Sequence, residues 1–437
     1  MSERSFITID NTTMRASSLL ANRSFVGLTA AQFLGAANDN LFKMVVSLFA
    51  VQGLSVTSGS SYLSLTGALF TLPYLMFSGY AGHLADLVSK RAVMRACKFG
   101  EIVIMTGGLV ALAYTAQIDS LLVVLFLMAV HSTFFSPAKY GSVPEIVSAR
   151  QLGRANGVIE ATRYAAILIG TAAGGILMEV WHGTPMRIGI ALVGIAVVGF
   201  LASIFIGPLT PAAPTRPWPK HPWTVFGQGM TRISRSRSLA VAVASITLFD
   251  AIATLTLLDV LFIAKIELHL GNAASGTIGA FAALGAGVGS LLCGLLSGEK
   301  IELGIAPIAG LGMAASLFAS SATSGSYWML SVLLFALGVF SGLFVVPFVA
   351  WLQKTAKRDE KGLIISTANF VDMAGVLAAS AVLWFLNDVV GFGPRAILAV
   401  GGFATALYVL ALLAMWKRLQ FHVALFLRSF HLQFKPQ

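Results

Sequence analysis

The sequence predicts an all-α polytopic membrane protein with twelve transmembrane helices in two six-helix pseudo-repeats. Three observations predict this fold class. Of 437 residues, 57% are hydrophobic and only 11% are charged, whereas a soluble domain carries about 25% charged residues. Twelve apolar stretches are long enough to cross a hydrocarbon core, which needs about 20 helical residues. A long polar segment separates the sixth stretch from the seventh, as in secondary transporters built from parallel repeats.

The apolar stretches define the predicted spans and domains. The first six spans are 24–52, 61–86, 92–116, 120–140, 155–179 and 185–208. The last six are 238–264, 274–297, 303–322, 327–352, 364–388 and 394–416. The predicted domains are an N-terminal tail (1–22), an N-terminal bundle (23–208), a linker (209–237), a C-terminal bundle (238–416) and a basic C-terminal tail (417–437). The last tail intersperses Phe and Leu with basic residues, which favours an amphipathic helix on an anionic membrane surface over simple disorder.

Lysine and arginine are concentrated in alternate loops. They crowd the segments before span one and after spans two, four, six, ten and twelve, whereas the intervening loops carry at most one each. Because cytoplasmic loops hold the excess of these residues, we expect both termini and the linker in the cytoplasm. The same bias explains the net charge of +11. Without a basic soluble domain to carry it, nucleic-acid binding is not expected.

The sequence offers no pattern of catalysis or metal binding. Cys97 and Cys293 fall inside predicted spans, where we interpret them as small apolar side chains. The sequence has no phosphate-binding Gly-x-x-x-x-Gly-Lys-[Ser/Thr] motif, no metal-ligand spacing among seven histidines, and no nucleophile beside a base. We therefore predict a protein that is not an enzyme and needs no metal or cofactor.

Charged residues stand out between His131 and Ala173, where apolar runs flank a cationic turn. Lys139, Glu160 and Arg163 lie close enough to those runs to sit in or near the bilayer, where charge is expensive and usually marks a pathway. Glu160 and Arg163 are spaced to pair on one helix. Lys139 could instead extend its ammonium group to the lipid headgroups.

The loop after span two, GHLADLVSKR from Gly82 to Arg91, carries a superfamily motif. It resembles the Gly-x-Leu-Ala-Asp-x-x-Gly-Arg-Lys loop of the major facilitator superfamily, with Ser89 in place of the second glycine and the basic pair exchanged. Gly82 would let two helices approach closely, and Asp86 would lie at a helix end. Lys90 and Arg91 could anchor to Asp86 or to anionic headgroups. The resemblance implies the major facilitator fold and a gating or conformational role for Gly82, Asp86, Lys90 and Arg91; a plain positive-inside loop is the alternative.

Three further motifs resemble those of the bacterial lysophospholipid transporters within that superfamily. They are QFLGAANDN at 32–40, SPAKYG at 136–141 and ANGVIEA at 155–161. Members of this family carry lysophospholipids across the inner membrane to the cytoplasmic leaflet, where acyltransferases repair them. The resemblance implies alternating-access transport of lysophospholipid by a monomer surrounded by membrane lipids. Because no acyltransferase domain follows the last span in this sequence, a separate cytoplasmic acyltransferase is a candidate partner.

The candidate substrate-binding residues combine these motifs with the buried charges. A glycerophosphate head needs a cation for its phosphate and an anion or amide for its amine or hydroxyls. Lys139 is the natural phosphate partner, and Asp39 with Asn40 could meet the amine or hydroxyl; for Asp39 and Asp372 a structural buried acid is the alternative. The predicted set is Asp39, Asn40, Lys139, Tyr140, Glu160, Arg163 and Asp372.

Span seven departs from the family pattern. The resemblance leads us to expect an arginine there for phosphate recognition, but the span contains Asp250 and Asp259 and no basic residue before Lys265. Arg163 could supply the missing cation from span five. A different headgroup preference, or a different substrate, is the alternative.

Energy coupling stays open at this stage. Uniport of lysophospholipid would suffice, but carboxyl groups buried in a membrane can carry protons. The candidate proton carriers are Asp39, Glu101 and Asp250. The competing function is proton-coupled transport of a soluble small molecule, such as a drug or a siderophore.

Overall fold

The computed structural model describes residues 19–53, 56–115, 117–181, 184–270, 272–323 and 326–415, together with Val423. These residues form thirteen α-helices and no strand. The first half contains α1 (Arg23–Gly53), α2 (Val56–Leu87), α3 (Lys90–Val110), α4 (Ile118–Ile146), α5 (Leu152–Val180) and α6 (Pro185–Ile204). After the linker helix α7 (Pro222–Arg235), the second half contains α8 (Arg237–Phe262), α9 (Asn272–Ser297), α10 (Ile305–Ala322), α11 (Tyr327–Thr355), α12 (Lys361–Trp384) and α13 (Pro394–Met415). The predicted fold class, all-α with two six-helix halves, is confirmed. The amphipathic helix predicted in the C-terminal tail lies outside the described residues.

The starts of several helices follow from local sequence. Asn22, Ser236 and Ser326 each accept a hydrogen bond from the backbone N–H three residues later, which satisfies a donor that has no partner within the helix. Pro185 and Pro394 are the first residues of α6 and α13. Proline suits that position because its missing N–H would have no partner there.

Ten helices, α3 to α6 and α8 to α13, are long and apolar enough to cross a membrane by length and composition. The interior of α1 holds Asp39 and Lys43, and α1 with α2 completes the first half. Large apolar side chains point outward from the bundle; on α13, for example, Phe403 and Leu407 are mostly exposed. Such a surface needs a hydrocarbon environment, so the protein is a multi-pass membrane protein.

Glycine allows close approach where the two halves meet. A Cβ atom added to Gly157 of α5 would lie 2.8 Å from the Cα atom of Gly294 on α9. Within the second half, Gly285 and Gly289 of α9 face the backbone of α11 in the same way. Small residues are typical of membrane helix interfaces, because packing rather than the hydrophobic effect drives association there.

The linker forms an amphipathic helix, α7, that the sequence analysis does not predict. Its Val225 and Ile233 are buried, and the helix packs against α2 and α12. The Phe226 ring lies 4.2 Å from the Phe370 ring of α12. Arg232 forms an ion pair of 3.1 Å with Glu360, which precedes α12. The linker therefore bridges the two halves at the end of the bundle where the α2–α3, α4–α5 and α11–α12 loops lie, which we call the charged-loop end.

Candidate substrate-binding cavity

A cavity of about 340 Å³ lies between the two halves, within the ~300–1,000 Å³ range of small-molecule sites. Helices α1 to α5 line it from the first half, and α8, α11 and α12 line it from the second. The structure brings all seven predicted substrate-binding residues to this one cavity, together with Asp250.

Helix α1 contributes Asp39, Asn40 and Lys43 within little more than one helical turn, and Gln32, Gly35 and Ala36 from the preceding turns. Asp39 accepts a hydrogen bond of 2.7 Å from the Ser132 hydroxyl of α4, and its buried Oδ1 atom has no hydrogen-bond partner. The Asn40 amide donates to the Ala36 carbonyl within the same helix. The Lys43 ammonium lies 5.0 Å from the centre of the α2 Phe70 ring.

Lys139 of α4 is buried in the cavity wall, with 9% of its surface exposed. Its ammonium nitrogen lies 4.0 Å from the centre of the Tyr140 ring, in a cation–π contact. Within the described ranges, neither Lys139 nor Lys43 forms an ion pair with a carboxylate. The Lys139 side chain thus lies inside the bundle and does not extend to its outer surface. An unpaired buried cation is costly, so Lys139 is poised for an anionic ligand.

Glu160 and Arg163 of α5 pair as predicted, with 2.7 Å between Oε2 and Nε. Glu160 also accepts a hydrogen bond from the Tyr140 hydroxyl, and Arg163 donates to the Tyr164 hydroxyl. The Arg163 guanidinium thus lines the cavity with its charge already balanced by Glu160. This arrangement weakens the idea that Arg163 replaces the arginine missing from span seven, since Lys43 and Lys139 are the cations with free charge.

A second ion pair lies where α1, α3 and α4 pack together. Lys98 donates to Glu101 at 2.7 Å, and Glu101 also accepts from the Asn38 amide at 3.0 Å. The His131 ring lies 3.8 Å from the same carboxylate. Lys98 and His131 line the cavity, whereas the predicted proton carrier Glu101 is held in this buried network and is not among the lining residues.

The second half presents a different wall. Asp250 of α8 and Asp372 of α12 approach each other closely enough to share a hydrogen bond. The Asp372 Oδ1 atom is buried and has no hydrogen-bond partner among the described residues. The neighbouring wall is apolar, with Val345 and Val349 of α11 and Met373 of α12. Among the described lining residues of α8, α11 and α12, none is basic.

The residues predicted to act in gating lie at the charged-loop end, away from the cavity. The Asp86 carboxylate of α2 accepts hydrogen bonds from the backbone N–H groups of Gly362 and Leu363, at 2.7 and 3.0 Å. These N–H groups open α12, so the acid stabilises the positive end of that helix dipole. Gly82 permits the contact, because a Cβ atom there would lie 2.6 Å from the Gly362 carbonyl.

Of the two expected anchors of the basic pair, Asp86 or anionic headgroups, Lys90 contacts neither. Its fully buried ammonium pairs with Glu145 of α4 at 2.8 Å, because α3 begins beside the end of α4. Arg91 lies in the first turn of α3. The basic residue that contacts Asp86 is Arg216 of the linker, at 3.4 Å.

Two further polar contacts join the halves, and three of the four residues that make them also line the cavity. The amides of Asn156 on α5 and Gln353 on α11 exchange two hydrogen bonds of 2.9 Å. Asn369 of α12 donates to the Ser136 hydroxyl of α4 at 2.9 Å. Together with Asp86, these residues join the two halves toward the charged-loop end, and we call this group the seal.

Comparison with known proteins decides the family. The model of the Major Facilitator Superfamily matches residues 28–380. The chain belongs to the Major Facilitator Superfamily. It is 29% identical to a lysophospholipid transporter LplT of Serratia proteamaculans over 361 residues, covering 80% of this chain and 84% of that protein. It is also 29% identical to LplT of Klebsiella pneumoniae over 410 residues, covering 91% and 96%.

Solved structures of the superfamily share the fold. The human organic anion transporter MFSD10 (TETRAN) superposes with a TM-score of 0.72 at 14% identity, covering 89% of this chain and 98% of that one. The E. coli fucose:proton symporter FucP gives 0.71 at 15% identity, covering 88% and 97%. At these identities the likeness concerns the fold alone.

Sequence reasoning missed several lining residues, among them Lys43, Lys98, His131 and Asn369. Lys43 follows Asp39 by one helical turn, so helix geometry places both on one face, and this spacing could have identified it. Asn369 precedes Asp372 by three residues, so the same argument places both on one face of α12. Lys98 and His131 reach the cavity through packing between helices, which spacing along the sequence does not show.

Proposed function

We propose that this protein moves lysophospholipids across the bacterial inner membrane to the cytoplasmic leaflet by alternating access. The proposal depends on the cavity between the halves. There, carboxylates and two lysines without an ion pair, Lys43 and Lys139, face an apolar wall. This combination suits a charged glycerophosphate head joined to an acyl chain. The relatives named lysophospholipid transporters support it, since they match most of the chain.

Lys139 is the proposed phosphate ligand. Its ammonium group is buried, faces the cavity and has no carboxylate partner in the structure as described. A phosphate oxygen would supply the missing counter-charge through a charge-assisted hydrogen bond. Lys43 would assist at a different level of the cavity, and Asp39 with Asn40 would bind a glycerol or headgroup hydroxyl. Val345, Val349 and Met373 would contact the acyl chain, whose contacts need only apolar surface.

We further propose that the charged-loop end faces the cytoplasm, because its loops hold the excess of Lys and Arg. The seal at that end then makes this an outward-facing state. Gly82 and Asp86 would act as the gate, and Lys90 would support it by fixing α3 to α4. A lipid delivered to the inner leaflet by a monomeric transporter could be used there by a separate acyltransferase. The transport itself would require no chemical step on the protein.

Uptake of labelled lysophosphatidylethanolamine into spheroplasts that lack other lysolipid transporters tests the proposal. Cells producing the protein should take up the lipid, and Asp39→Ala and Lys139→Ala should remove most of that uptake. Lys357→Ala is the matched control, because Lys357 is exposed and lies outside the cavity. Absence of uptake by a correctly inserted wild-type protein would contradict lysophospholipid transport.

A further inference from the structure

The acidic wall of the second half carries an inference beyond lysophospholipid transport itself. Asp250 and Asp372 come from different helices, α8 and α12, and their carboxyl groups meet at the cavity surface. Two carboxylates in contact repel each other, and a hydrogen bond between them requires that one carries a proton. A proton shared between the two carboxyl groups would leave the pair with one negative charge.

Among the described residues, no unpaired cation is found in electrostatic range of the pair. Arg163 of α5 lies within electrostatic range of both acids, but it is bound to Glu160. α11 and α13 carry one charged residue each, Lys354 and Arg395, in terminal turns, and α9 carries none. The other titratable groups in electrostatic range of the pair are Glu160 and the hydroxyls of Tyr74, Tyr140 and Tyr164.

An independent observation on the opposite wall points to the ligand. Lys139 is nine-tenths buried, lines the same cavity and has no ion-pair partner among the residues described. The cavity thus presents an unpaired cation on one half and an acid pair with an unpartnered oxygen, Asp372 Oδ1, on the other. A ligand with an anion and a cation a few bonds apart would satisfy both walls and connect the two halves.

We propose that Asp250 and Asp372 form a proton-sharing site, from which the cationic amine of a zwitterionic headgroup displaces the proton. The inference rests on the proposed function, because it assigns a ligand class to the same cavity. When the ammonium group binds, the shared proton leaves to water, and the ammonium replaces its positive charge. The charge at the acid pair is the same before and after, so the exchange needs no other reactant.

The exchange makes protons compete with the amine and with no other part of the ligand. Acidic pH then weakens binding of headgroups that carry an amine. A glycerol headgroup has no amine, so it leaves the shared proton in place and shows no such dependence. The site thereby distinguishes two lysophospholipids that offer the same phosphate to Lys139.

Proton release provides the direct test. The full-length protein in lipid nanodiscs and weak buffer, with a pH indicator, should release protons when lysophosphatidylethanolamine is added. Its N-acetylated form and lysophosphatidylglycerol should release none, and Asp372→Asn should abolish release. Equal release with the N-acetylated lipid, or undiminished release from Asp372→Asn, would overturn the proposal.

Uptake by spheroplasts separates this inference from the proposed function. Asp250→Asn and Asp372→Asn should each lower uptake of lysophosphatidylethanolamine by at least ~10-fold, the change that corresponds to ~1.4 kcal/mol, and should remove its pH dependence. Uptake of lysophosphatidylglycerol by the same variants should persist, which shows that they are folded and inserted. If these variants lost uptake of both lipids, or kept uptake of both, the proposed acid-pair site would be overturned. If the wild type takes up neither lipid, the proposed function fails as well.

Discussion

The two walls of the cavity arrange charge in opposite ways. On the first half, Lys98 pairs with Glu101 and Arg163 pairs with Glu160. Lys43 and Lys139 form no ion pair with any described carboxylate. On the second half, two acids face each other within a largely apolar surface. This difference underlies the two proposals above, in which the first wall binds the phosphate common to all phospholipid heads and the second wall binds the amine that some heads carry.

The largest expected effect comes from breaking the ion pair between Lys98 and Glu101 on the first wall. Lys98→Ala would leave Glu101 buried without its cation, and breaking a buried pair in this way costs about 3–5 kcal/mol. We expect a lower midpoint of thermal unfolding for the purified protein. The double variant Lys98→Met with Glu101→Gln should recover much of the loss, because neither residue is then charged. A single variant as stable as the wild type would show that this pair does not hold the wall together.

Removal of the free cation should affect transport more than stability. Lys139→Ala removes a charged hydrogen-bond donor, which contributes about 1.5–3 kcal/mol, so uptake of any lysophospholipid should fall ~10–100-fold. Lys139→Arg should retain part of the activity because it keeps the charge. Initial uptake rates, normalised to protein in the membrane, measure the effect. If Lys139→Ala lost only one headgroup class, the assignment of this wall to the shared phosphate would be wrong.

We expect a smaller effect from a substitution of Asp86 in the seal. Asp86→Asn removes the charge that two backbone N–H groups of α12 and Arg216 contact, so the charged-loop end should open more often. A cysteine introduced at Asn369 would then react faster with a polar thiol reagent in inverted vesicles. Asp359→Asn is the control, since Asp359 is exposed and contacts the linker through its backbone carbonyl. Equal labelling of both variants would argue against Asp86 as a gate.

The smallest expected effect belongs to Lys43. It is only partly buried and lies against Phe70 without an ion-pair partner in the described chain, so Lys43→Ala should lower uptake by a few-fold, on the scale of ~0.5–1 kcal/mol for an exposed cation–π contact. The same spheroplast assay, extended to raised ionic strength, measures it. An effect as large as that of Lys139→Ala would place the phosphate at Lys43 instead.

The sequence predicts the first wall better than the second, for a physical reason. Asp39, Lys139, Tyr140 and Glu160 lie in local motifs, and helix periodicity together with the cost of buried charge directs them to one interior. The contact of Asp250 with Asp372 depends on how α8 packs against α12, which no local pattern encodes.

The charged-loop end shows the same limit of local patterns. Lys90 stands near Asp86 in sequence, yet it pairs with Glu145 because α3 and α4 meet there. The linker helix α7 was detectable in principle, since Val225, Gly229 and Ile233 recur every four residues and form its buried face. The surrounding prolines and arginines concealed that periodicity.

The most direct measurement compares uptake of lysophosphatidylethanolamine and lysophosphatidylglycerol by the wild type, Lys139→Ala and Asp372→Asn in the same spheroplast background. The two-wall account predicts that the wild type transports both lipids, that Lys139→Ala loses both, and that Asp372→Asn loses only the lipid with the amine. If Asp372→Asn lost both lipids equally while Lys139→Ala kept them, the assignment of phosphate and amine to the two walls would be contradicted.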